Sequence, residues 1–272
     1  MERTTNSLSI ICKHKYLKFI GLFLFALNFS VKDLVANPIV SNYDYKLYQS
    51  YISGDMVSWA KIIDELNCYH EKNPSNEILF SIVQAQYGYI GYLIGAGQNR
   101  LAREYLKVAE ENVDKLLQNQ PQNADALAIK ASLIAYNVAL SPYKAPILGP
   151  RSVSLINEAY RLKNSSIQAL IEKGNSLHYA PKFFGGDPEE AVSYYIKAII
   201  AFENQNNGVG LQSWLYLNTL AQLALAYEKS KQPQRALKTY REILTIEPDF
   251  KWVKDDLYPQ LLKINKKATN IK

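Results

Sequence analysis

Six positions recur at a fixed offset of 45 residues. Pro188, Ala191, Val192, Tyr195, Ala198 and Ile199 return in the same register as Pro233, Ala236, Leu237, Tyr240, Ile243 and Leu244. Self-similarity at one offset marks stacked supersecondary units, each needing a neighbour to bury its apolar face. The long segments between turn signals place apolar residues three and four apart, the spacing of a helix face. No run of alternating β-branched residues joined by hairpin turns appears. The expected fold class is all-α, a solenoid of helical hairpins.

The last unit shows the pattern most clearly. Leu220, Leu223, Ala224 and Tyr227 fall on one helix face, Ala236 and Tyr240 on the next, and Pro248 stops the pair. Small residues at a close helix crossing, a large aromatic between units and a terminating proline resemble the tetratricopeptide repeat (TPR), a unit of about 34 residues. The preceding unit carries the same signature at Ala191 and Tyr195. The surplus of about eleven residues in the offset falls in the polar stretch 203–212 (ENQNNGVGLQ), expected as a long loop. Read in this way, the chain holds about five hairpins: 43–53 with 55–71, 77–94 with 100–118, 124–140 with 152–163, 166–179 with 188–202, and 211–230 with 233–246. Trp59, Ile62, Ile63 and Leu66 form the inner stripe of the first. Segment 141–151, with three prolines and a glycine, is expected as an irregular loop. A helix over 252–266 is expected to cap the stack.

Residues 1–36 read differently. Arg3, Lys13, Lys15 and Lys18 precede an apolar run of 11 residues, Phe19 to Phe29, and a small residue, Ala36, offers a cleavage point. That is the layout of a secretory signal peptide, and the run is shorter than the roughly 20 residues of a spanning helix. The expectation is a signal peptide over 1–36, a single TPR-like domain over 37–272, a periplasmic or secreted location, and no stable membrane span after processing. The mature part then carries 26 Lys and Arg against 23 Asp and Glu, a formal +3. These charges alternate along helical segments, so no nucleic-acid footprint is expected. Cys12 leaves with the signal peptide, so Cys68 has no internal disulfide partner and is expected as a partly buried thiol.

Catalytic groups are scarce. His70 and His178 are the only histidines after residue 36, no nucleophile elbow or Gly-rich phosphate loop appears, and a catalytic zinc site usually takes three protein ligands. No catalytic residue, metal or cofactor is expected, and the chain is read as a binding protein. Its most distinctive segment is 181–191 (PKFFGGDPEEA). Here Gly185 and Gly186 permit a turn, with Gly186 expected at positive φ, Asp187 caps the next helix and Pro188 occupies its first turn. Phe183 and Phe184 are candidates for an apolar lip over the concave face, with Tyr179 beside them. Tyr87, Tyr89, Tyr92 and Tyr136 are candidates to line an inner groove.

Pro181, Gly185, Gly186, Asp187 and Ala191 resemble a pattern in exported bacterial TPR proteins, including the T component of tripartite ATP-independent periplasmic (TRAP) transporters. That resemblance implies a periplasmic helper binding a partner protein or a small apolar ligand. The leading functional reading is a scaffold gripping a protein or peptide partner on its concave face. The alternative is a carrier closing an apolar pocket around a small ligand.

Overall fold

The computed structural model describes residues 38–205 and 212–269, and every regular element among them is helical. The helices are α1 (Pro38–Ser53), α2 (Met56–Lys72), α3 (Asn76–Gly95), α4 (Asn99–Asn119), α5 (Ala124–Leu140), α6 (Ala145–Leu162), α7 (Ile167–Tyr179), α8 (Pro188–Gln205), α9 (Trp214–Lys229), α10 (Pro233–Ile246) and α11 (Tyr258–Thr269). Residues Ile39–Lys272 pack as one unit. The signal-peptide segment and residues 206–211 of the expected long loop lie outside the described residues. Side chains set several helix starts: Asp55, Ser75, Asn123, Ser166 and Ser213 each accept a bond from the N–H three residues on, satisfying one orphan donor of the first turn.

Consecutive helices form five hairpins. In the first, the chain reverses at Gly54 (φ 69°), and Lys46 pairs with Glu65 at 2.9 Å across it. The first helices of neighbouring hairpins also touch, α3 with α5, α5 with α7 and α7 with α9. They are enclosed accordingly: α3 and α9 bury residues around most of their circumference, whereas α4 buries only Ala102, Leu106, Ala109, Val113 and Leu116 along one stripe. The four expected residues Trp59, Ile62, Ile63 and Leu66 are all in the core.

The repeat signature performs the packing its spacing predicts. Ala191, Ala224 and Ala236 have no exposed surface, and neither have Tyr195 and Tyr240. Tyr195 lies flat against Gly174, where an added Cβ would come within 2.7 Å of its ring. Tyr240 donates to Glu228 at 2.6 Å, so its polar end is satisfied. Pro248, exposed after α10, ends the last hairpin.

Three local expectations are corrected. Segment 141–151 is a single 3₁₀ turn, Pro142–Lys144, followed by α6, which begins seven residues earlier than expected and contains Pro146 and Pro150. Pro146 lies in the first turn, where its missing N–H is no loss. Gly149, lacking a Cβ, relieves the clash that usually bars a helical residue before proline. The capping helix is preceded by a π-helical turn, Trp252–Leu257, because Pro259 has no N–H for a regular bond to Asp255 and the backbone widens ahead of it. Cys68 is exposed on α2, not partly buried.

Candidate binding surface

The first helices of all five hairpins turn polar and aromatic side chains toward one another. Tyr51 of α1 donates to Asn218 of α9 at 2.9 Å and packs its ring edge-on to Trp59 and Trp214. Trp59 and Trp214 themselves meet at 5.0 Å, edge to face, and Trp59 donates its indole N–H to Ala85 of α3. Gly88 makes room for both, since an added Cβ would stand 2.9 Å from each indole. Tyr87 stacks on Tyr136 of α5 at 5.7 Å, and Gly91 admits the Tyr136 hydroxyl. The first and last hairpins therefore touch across the inner face, a contact continued by Tyr48 donating to Glu247 at 2.6 Å and by Tyr51 against Phe250 at 5.0 Å.

On α7 a buried carboxylate organises the inner face. Glu172, 3% exposed, accepts from Gln168 at 2.8 Å and from Asn175 at 3.0 Å, with the Ser132 and Tyr87 hydroxyls nearby. Burial pushes its carboxyl above the usual range, and these polar neighbours oppose that shift by favouring the anion. Tyr195 donates to the Asn175 amide oxygen at 2.8 Å, tying the network to α8. Nearer the C-terminal end of α7, Tyr179 donates to Gln222 of α9 at 2.6 Å. This end is the more open one: Tyr179 is 60% exposed, and Tyr136, Asn175, Asn218 and Gln222 keep partial access to solvent.

Of the four tyrosines expected to line an inner groove, Tyr136 lies on the inner face with partial access to solvent, and Tyr87, 3% exposed, is buried beneath it. Tyr89 and Tyr92 stack on one another and Tyr89 packs edge-on to Tyr105 of α4, so both belong to the α3–α4 pair and stand away from the inner face. Tyr51, Glu172, Asn175, Trp214, Asn218 and Gln222 escaped sequence reasoning. A signal for them exists: Glu172, Asn175 and Tyr179 follow at intervals of three and four, and Trp214, Asn218 and Gln222 at intervals of four. Each set is one polar stripe on a helix otherwise surrounded by apolar positions.

The connection between α7 and α8 carries the predicted loop. It runs eight residues, Ala180–Asp187, against three, Ser230–Gln232, in the last hairpin. The extra length forms a 3₁₀ turn, Lys182–Phe184, whose two phenylalanines pack on each other at 3.9 Å, tilted by 39°, and are 80% and 51% exposed. Asp187 caps α8 by accepting from Glu189 and Glu190 at 3.0 and 3.1 Å. Pro181 is exposed and Pro188 opens α8. The glycine expectation is corrected: Gly185, not Gly186, takes the left-handed conformation (φ 87°). Gly186 is required by space, because a Cβ there would lie 1.9 Å from the Ala180 carbonyl oxygen.

Beneath this loop, His178 is 6% exposed and its Nδ1 has no partner among the described residues. Burial, with the Lys229 ammonium bonded to the His178 backbone carbonyl, lowers its pKa to about 4, so the ring is neutral near pH 7. Among the described residues, no three His, Cys, Asp or Glu side chains converge as a metal site. No helix there is long and apolar enough to cross a membrane.

Comparison with known proteins agrees with this geometry. Residues 217–250 match the family model of the tetratricopeptide repeat. That span covers most of α9 and all of α10. No curated protein matches the chain. Among solved structures, a thermophilic TPR protein of Thermus thermophilus superposes on 82% of this chain and 98% of its own, at a TM-score of 0.53 and 15% identity. The fold the two share is the tetratricopeptide-type α-solenoid.

Proposed function

We propose that this helical-repeat chain is an exported scaffold without catalytic function, which binds a segment of a protein partner at the open end of its inner face. The reading rests on one arrangement: Tyr136, Asn175, Tyr179 and Gln222 stand with access to solvent on three neighbouring helices, α5, α7 and α9. Tyrosine supplies contact area at low entropic cost, and amide side chains adapt their hydrogen bonds to a backbone. The contact between α1 and α9 limits the bound segment to a short one, because Tyr51, Trp59 and Trp214 fill the other end. The same three side chains leave a small apolar ligand no preformed room there. Export, by processing near Ala36, belongs to this proposal and rests on residues 1–36 alone.

The test is peptide selection from a display library on residues 37–272. Selected peptides are expected to lose about tenfold in affinity to the Tyr179→Ala/Gln222→Ala double variant, roughly the 1.4 kcal/mol of one lost interfacial contact. Peptides that bind this variant as tightly as the parent reject the site. N-terminal sequencing of exported material checks the leader: the mature chain is expected to start between Val31 and Pro38, and recovery of intact Met1 refutes processing.

A further inference from the structure

Outside the inner face, the turns of the hairpins lie along one edge of the solenoid. Arg103, near the start of α4, reaches Ser141 at 3.0 Å and the Leu140 carbonyl at the end of α5. Lys229, ending α9, donates to the His178 carbonyl near the end of α7. With α5 and α7 side by side, the third and fourth turns are neighbours on this edge. Both carry large apolar side chains away from the core: Tyr143 is 81% exposed and Ile147 77%, beside the 80% and 51% of Phe183 and Phe184. We infer that this edge docks on a lipid surface, with these four side chains entering the headgroup region and Lys144 and Lys182 meeting lipid phosphates.

Three observations favour a bilayer over a protein or a second copy. The apolar groups stand on protruding turn tips, a shape that a fluid interface accommodates without a complementary pocket. The two tips, 142–148 (PYKAPIL) and 180–186 (APKFFGG), contain a lysine each and no acid; beside the second, Asp187, Glu189 and Glu190 begin α8, where Asp187 is engaged as the cap, and beside the first, Lys144 donates to Asn137 at 3.0 Å with the Glu110 carboxylate near it, leaving Lys182 the freer of the two ammonium groups. Aromatic residues flanked by lysine are what the membrane–water interface selects, since the rings seat at headgroup depth and the ammonium groups stay wet. An isologous pairing of two copies would instead bring the Lys144 and Lys182 charges of both copies into one interface. Pro142, Pro146 and Pro181 stiffen the tips, so little conformational freedom is lost on insertion.

Residues 37–272, whose core spans Leu47 to Leu261, are suited to the test because the apolar run at 19–29 is then absent. Co-sedimentation is measured with vesicles of phosphatidylcholine and phosphatidylglycerol. Bound fraction is expected to fall on the order of tenfold for Phe183→Ser/Phe184→Ser and for Tyr143→Ser/Ile147→Ser. Lys144→Glu/Lys182→Glu is expected to weaken binding to anionic vesicles more than to pure phosphatidylcholine. Melting temperatures of the two apolar variants should match the parent, because their four side chains are exposed, whereas the charge variant also loses the Lys144 bond to Asn137 and is compared with Lys182→Glu alone. A parent that does not sediment with either vesicle, or apolar variants that sediment as well as the parent, overturns the proposal. Either result would return the edge to a protein partner.

Discussion

Gly185 and Gly186 adjoin one another and are needed for different reasons. Gly185→Ala places a Cβ on a left-handed residue with open space around it, a cost of about 1 kcal/mol. Gly186→Ala drives a Cβ into the Ala180 carbonyl, so the loop must open, and about 3 kcal/mol is expected, the upper end of overpacking costs. Urea titration of both variants ranks them, and equal losses refute the assignment. His178 gives a pH signature with a definite sign. Its folded pKa, about 4, lies below the ordinary 6.5, so as pH falls from about 6.5 to 4 the unfolded ring takes up a proton that the folded ring refuses. Stability therefore declines over that window, and His178→Gln is expected to flatten the decline. The raised carboxyl of Glu172 acts with the opposite sign, but it is common to both proteins and cancels in their difference. A variant with the same slope as the parent would exclude His178.

At the scale of the element, α7 is the informative helix. Its stripe of Gln168, Glu172, Asn175 and Tyr179 gathers donors around one buried carboxylate. Glu172→Ala is expected to cost about 2–3 kcal/mol, since it strands several buried donors at once, whereas Tyr195→Phe removes one bond of an intact network and costs about 1 kcal/mol. Thermal or chemical denaturation separates the two, and a larger loss for Tyr195→Phe would contradict the network. Hairpin count and order were legible in the sequence, because Ala191, Tyr195, Ala236 and Tyr240 each report a purely local packing demand. The early start of α6 is not legible, since three prolines in eleven residues signal a break, whereas Pro146 sits where a helix needs no N–H and Gly149 relieves Pro150. Tyr89 and Tyr136 looked equivalent on spacing alone. Which one faces inward depends on how α3 is rotated against α5, a tertiary property that no single-helix period records.

For the whole 39–272 unit, the decisive feature is that α1 and α2 reach α9 and the segment after α10. In an open solenoid the terminal repeats contact one neighbour each and fray first. Here Tyr51, Trp59, Trp214 and Phe250 give the first hairpin a second partner. Amide hydrogen exchange is therefore expected to protect the C-terminal half of α1 nearly as well as α5, and rapid exchange there would refute the closure. A double-mutant cycle on Trp59 and Trp214 is expected to show coupling of about 0.5–1.5 kcal/mol beyond the separate losses. Closure also bears on how such a protein can diversify. Open repeat arrays lengthen by tandem duplication, each new copy extending the recognition surface. A sixth hairpin here would part Trp59 from Trp214, so duplication carries an immediate penalty. The routes to new specificity that keep the closure are substitution within the five hairpins and longer turns, of which the Ala180–Asp187 connection is the kind.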